Sequence, residues 1–127
     1  MKREYSLKGR NIFRELFKRG KRIRGKSVRM VVLTGNGTTL NNEMEKNDRT
    51  YGTKPKIGVV VYKKYGNAVQ RNRAKRRIRA ICDRFLPSIR NDCSLIISPM
   101  EGFKTMSYND AVQDVAGCFQ KAGILRR

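Results

Sequence analysis

The sequence predicts a single α+β domain in which helices pack on one sheet. Three observations carry that prediction. Ile57–Lys64 (IGVVVYKK) alternates as a strand does, and the stretch from about Ala68 to Phe85 then repeats its apolar residues at helical spacing. Two more strand-like runs, Ser27–Thr34 (SVRMVVLT) and Cys93–Ser98 (CSLIIS), lie on either side. The 127 residues suffice for one modest core.

Taken in order, Met1–Lys8 is basic and loose in composition. Arg10–Lys18 reads as a short helix, with Asn11 near its start and Gly20 placed for a left-handed C-terminal residue. Its apolar residues form two i,i+4 pairs, Ile12/Leu16 and Phe13/Phe17, which make a wide face. Either all four are core, or Ile12 and Leu16 hold the helix down while the phenylalanines border a groove. Lys21–Lys26 (KRIRGK) is a basic edge, and Gly25 marks a bend or bulge that splits the strand. Gly35–Lys56 is polar, rich in Gly, Asn and Thr, and reads as a long mobile hairpin loop, mainly an insertion.

In the next strand, Ile57, Val59 and Val61 point one way; Gly58, Val60, Tyr62 and Lys64 point the other. The second set ends in an aromatic and a cation, which suits a surface that meets a ligand. Tyr65–Asn67 is a turn. In the long helix, Ala74, Ile78, Ile81, Cys82 and Phe85 fall on one buried stripe. Asn72, Arg76 and Arg79 form one flank, and Arg73, Arg77 and Arg84 the other. Arg71 shares the buried azimuth one turn early, so it should project toward the turn. Pro87 stops this helix and Pro99 closes the Cys93–Ser98 strand. Ser107–Asp110 resembles a capping box with Asp in place of Glu. The last helix, about Tyr108–Lys121, is expected to bury Tyr108, Val112, Val115 and Phe119 and to expose Asp110 and Asp114. Ile57–Tyr62, the long helix and Cys93–Ser98 can join parallel strands, for which a right-handed crossover is the default.

Thirty Lys and Arg against ten Asp and Glu give a formal charge of +20. Such an excess repels itself in a folded chain, and nucleic acid is its usual partner. No run approaches the roughly 18 apolar residues of a membrane span, so no membrane partner is expected. The opening MKREYSLKGR lacks the apolar segment of a secretory signal, and a cytoplasmic protein is expected. There is no histidine, which removes His-based catalysis and the usual zinc sites. Cys82, Cys93 and Cys118 have no metal-ligand spacing and read as reduced, mostly buried thiols. The long helix carries both phosphate-gripping arginines and an asparagine able to donate and accept at a ribose hydroxyl or base edge. Lys63 and Lys64 flank the turn before it. If Phe13 and Phe17 face Val60, Tyr62 and Lys64, the first helix and the sheet enclose a basic-rimmed aromatic cleft. That is how single strands are held with little sequence preference.

GVVVYKKYGNAVQRNRAKRRIR resembles the signature of the protein subunit of bacterial ribonuclease P, and the spacing of Phe13, Phe17 and Gly20 agrees. The resemblance implies a fold like the second domain of ribosomal protein S5, with a left-handed β-α-β crossover. It implies an accessory subunit of an endoribonuclease whose catalysis belongs to an RNA partner, using magnesium bound mainly by that RNA. The partners it implies are the catalytic RNA and the 5′ leader of precursor tRNA, with no obligate protein partner. Arg71, Asn72, Arg73, Lys75, Arg76 and Arg79 fall on the family's RNA-binding helix, with Lys63 and Asn67 at its entry. Phe13, Phe17, Val31, Val60, Tyr62 and Lys64 fall on its leader-binding cleft. Two departures stand out. Tyr62 occupies a position that is usually serine, and Val31 one that is often aromatic. We take Tyr62 to replace the missing ring.

Three other readings start from the same charge. A structural binder of ribosomal RNA needs no aromatic-lined groove. A DNA-binding regulator needs a helix–turn–helix pair, and none is evident. A stand-alone nuclease needs clustered acids, and here they are scattered.

Overall fold

A computed structural model describes residues 5–7, 9–34 and 55–125. The elements run α1 (Arg10–Arg19), β1 (Lys21–Arg24), β2 (Val28–Thr34), β3 (Lys56–Val59), α2 (Ala68–Phe85), β4 (Cys93–Pro99) and α3 (Tyr108–Ala122). The strands form one mixed sheet in the order β1-β2-β4-β3. β1 and β4 both pair antiparallel with β2, and β3 pairs parallel with β4. The fold class is therefore the expected α+β, with the β3–α2–β4 unit parallel as anticipated.

One expectation is corrected here. β2 and β3 are not hairpin partners, because β4 lies between them. The polar stretch 35–54, expected to be a mobile loop, lies outside the described residues.

Pleat parity divides the core into two clusters. Met30, Val32, Ile57, Leu95 and Ile97 face α2 and α3, whereas Val31, Leu33 and Ile96 face α1. Every residue of β4 is buried, as a central strand covered by helices on both faces must be. The buried stripe of α2 is Ala74, Ile78, Ile81 and Cys82, and Phe85 meets Phe119 edge-on at 5.5 Å. Asn67 accepts from the Gln70 N–H while the Gln70 side chain accepts from the Asn67 N–H, a reciprocal cap that fixes where α2 begins. Gly123 closes α3 in the left-handed conformation.

Gly20 is not the left-handed residue expected; its backbone is extended, φ −74° and ψ 155°. Glycine is needed there for space. A Cβ would lie 2.5 Å from Val31 Cγ1 and 2.6 Å from the Leu16 carbonyl oxygen. Contrary to expectation, Tyr108 is exposed and Ala111 and Cys118 are buried in its stead. Val112 is only partly buried, whereas Val115 and Phe119 are buried as expected.

Asp114 is likewise not a solvated acid. Its carboxylate accepts from the Lys26 N–H at 2.8 Å and from both the N–H and the hydroxyl of Ser27 at 2.6 Å. It thereby ties α3 to the bend between β1 and β2, where Gly25 leaves room for it. Burial pushes this carboxyl up, but the Ser27 hydroxyl, the Lys26 and Ser27 N–H groups and the Lys26 charge together hold it below the ordinary range. A depressed carboxyl stabilises the fold above the ordinary aspartate value of 3.8 and loses that contribution as pH falls through its folded value.

Asp114→Ala should therefore cost about 2–3 kcal/mol in urea unfolding at neutral pH, with Ser27 left unsatisfied. Asp114→Asn should flatten the decline of stability below pH 3.8 relative to the parent.

Candidate nucleic-acid interface

With its apolar stripe held against the sheet, α2 must turn its remaining azimuths outward. Asn72, Arg73, Arg76 and Arg79 are exposed, and Lys75 is half-buried. Among the described residues, none of these side chains has an ion-pair or hydrogen-bond partner. Arg71 departs from them as its azimuth predicts. Its guanidinium turns back to donate to the Gly66 carbonyl oxygen at 2.8 Å, stiffening the turn into the helix. Asn67 is at the entry, with its carboxamide oxygen already used by the cap.

Arg77 lies on the second basic flank in sequence but serves the fold. It donates to the carbonyl oxygens of Phe103 at 3.1 Å and Met106 at 2.8 Å, and its guanidinium stacks 4.6 Å above the Phe103 ring. This fastens α2 to the 3₁₀ turn Glu101–Lys104. Nothing in the local sequence marks it, because its partners are backbone carbonyls far along the chain.

On the opposite face of the sheet, α1 buries only Leu16 completely; Ile12, Phe13 and Phe17 are half-buried. The helix thus meets neither sequence alternative in full. Phe13 leans over β3, where a Cβ on Gly58 would come within 2.8 Å of its ring. Phe13, Phe17 and Val60 form the partly exposed border of this cluster. Val31 belongs to the same cluster but is buried beneath α1, where Gly20 abuts it. It is floor, not lining.

β3 ends earlier than expected, at Val59, although the Val60 N–H still donates to the Ile97 carbonyl oxygen at 3.0 Å. The backbone stays extended through Tyr62, which is 49% exposed. Lys63–Tyr65 then forms a 3₁₀ turn, so strand parity does not reach Lys64. Lys63 and Lys64 are both exposed there, while Tyr65 is buried toward α2. The turn thus sets two exposed lysines between the end of β3 and the entry of α2.

The three cysteines are free and buried. Burial, reinforced by Asp83 and by Asp92, pushes the Cys82 and Cys93 thiols up to about 12, so neither offers a thiolate. Among the described residues, no group of three acids or cysteines stands close enough to hold a metal ion. Nor is any described helix long and apolar enough to cross a membrane.

Comparison with known proteins gives a consistent result. The family profile described as Ribonuclease P matches residues 1–123. The chain is 28% identical over 127 residues to the ribonuclease P protein component of Symbiobacterium thermophilum, covering 100% of this chain and 98% of the relative. It is 30% identical over 118 residues to that of Corynebacterium efficiens, covering 90% and 88%. A Staphylococcus aureus RNase P protein structure, of a mutant with defective mRNA degradation activity, superposes with a TM-score of 0.77. Its identity is 20%, with 96% of this chain and 91% of that one covered. The Thermotoga maritima RNase P protein gives 0.71 at 21% identity, with 91% and 96% covered.

Arg77→Ala should lower stability by about 2–3 kcal/mol, since it strips two carbonyls of a charged donor. Arg73→Ala should change it by less than about 0.5 kcal/mol. Urea midpoints at unchanged slope would measure both.

Proposed function

Because the chain belongs to the ribonuclease P protein family, we propose that it is the protein component that docks on the catalytic RNA through α2 and receives the 5′ leader of precursor tRNA in the trough beside α1. The observation that carries this is the outward face of α2. Asn72, Arg73, Arg76 and Arg79 stand exposed on a helix locked to the core, with no carboxylate paired to them among the described residues. Arginines presented by a fixed helix suit a folded polyanion, because the helix itself needs no ordering on binding and their planar forks match phosphate. The trough differs in kind. Half-buried rings at Phe13 and Phe17, with Val60, Tyr62 and the paired lysines beyond, suit stacking bases and a single backbone.

In this reading the chain performs no bond-breaking itself. It supplies charge that brings two RNA segments together, and the hydrolysis that matures the tRNA 5′ end belongs to the RNA. Magnesium, in the same reading, is bound mainly by the RNA.

Cleavage of precursor tRNA should be measured with the chain alone, the RNA alone and both, across several salt concentrations. The chain alone should be inert, and the mixture should cleave at lower salt than the RNA does unaided. Cleavage by the chain alone would overturn the proposal. Arg76→Ala should weaken assembly with the RNA and reduce the salt slope by about one. Phe17→Ala and Tyr62→Ala should leave assembly intact. Each should cost about 1–3 kcal/mol in binding precursor but not mature tRNA. An unchanged leader affinity for Tyr62→Ala would remove that ring from the trough.

A further inference from the structure

Beside the second flank of α2 is a small cavity that sequence spacing does not reveal. It is lined by Tyr65, Gln70, Arg73, Ala74, Arg77 and Lys104, and measures about 100 Å³. That is several times the room one water needs. It is well below the roughly 300 Å³ at which small-molecule pockets begin. Its size suits a phosphate group, not a nucleoside.

Its charge points the same way. Arg73 is exposed and unpartnered among the described residues; Arg77 is fixed by two carbonyls but keeps its positive charge. Lys104 reaches in from the turn before α3, with Nζ 4.9 Å from the Tyr65 ring centre. Among the described residues, one acid touches this group. Glu101 Oε1 is 2.8 Å from Lys104 Nζ, and the Glu101 side chain is 76% exposed. An ion pair with so exposed a carboxylate is weak, and a phosphate can displace it.

We infer that this cavity is a seat for a backbone phosphate of the RNA that docks on α2, with Arg73 and Lys104 as its grip, Arg77 as its fixed wall and Glu101 as the occupant displaced. This rests on the proposed docking of α2. It adds that the interface continues past the helix onto the Glu101–Lys104 turn, a surface far away in sequence.

The test uses the full chain and the ribonuclease P RNA of the same genome, with binding measured across a salt series. Lys104→Met keeps the stem that covers Tyr65 but removes the charge. It should weaken binding several-fold and lower the salt slope by about one. Glu101→Gln should tighten binding, and that gain should vanish in the Lys104→Met background if both act at one seat. Urea unfolding of each variant verifies that the fold is intact, and Arg76→Ala serves as the control for α2 docking. Normal binding by Lys104→Met with weakened binding by Arg76→Ala would overturn the seat and leave the docking standing. Normal binding by both would overturn both. A Glu101→Gln gain that survives in the Lys104→Met background would also overturn the seat, because the added charge would then act elsewhere.

Discussion

The rest of the structure depends on one strand being apolar in both directions. β4 has Leu95 and Ile97 on the side of α2 and α3, and Ile96 on the side of α1, and all are buried. Its neighbours on the sheet, β2 and β3, are held by its backbone. A helix can therefore dock on each face, and two separate surfaces result. One is the charged outer side of a helix whose inner side is fully engaged. The other lies beside a helix with a single fully buried residue, whose rings are left half-covered. The two polynucleotide segments proposed as partners thus meet opposite sides of the same sheet.

Much of this was legible in the sequence where a pattern repeats locally. The bounds of α2 follow from a 3.6-residue period between the turn Tyr65–Asn67 and Pro87, and four of the five residues expected on its stripe are fully buried. The inward turn of Arg71 follows from the same arithmetic. What stayed hidden depends on distant residues. Asp114 reads as a surface acid because Ser27 is remote in the chain, and Arg77 reads as one more free cation because Phe103 and Met106 are. Gly20 has the right identity for a reason that only the packing of Val31 reveals. Lys64 was assigned by extending a pleat past the point where the backbone turns.

The charge of +20 is accommodated unevenly. Arg90 and Lys104 pair with Asp92 and Glu101, but several other cations used within the fold are aimed at carbonyls or rings: Arg22 at Phe17, Arg71 at Gly66, Arg77 at Phe103 and Met106. Carbonyls at turns and helix ends can satisfy a guanidinium without spending one of the few acids. Arg73, Arg76 and Arg79 have no such partner among the described residues, so the exposed side of α2 stays strongly positive.

The strand order has a consequence for the moment of synthesis. Val28 pairs with Pro99 and Thr34 with Cys93, so the middle of the sheet closes only through residues far apart in the chain. While the ribosome is still making α2, the β1–β2 hairpin and β3 exist without the strand that belongs between them. Their unpaired edges are open to wrong partners until β4 emerges. Among the named strands β3 has no partner until the last third of the chain supplies β4, which joins it to β2 and completes the sheet.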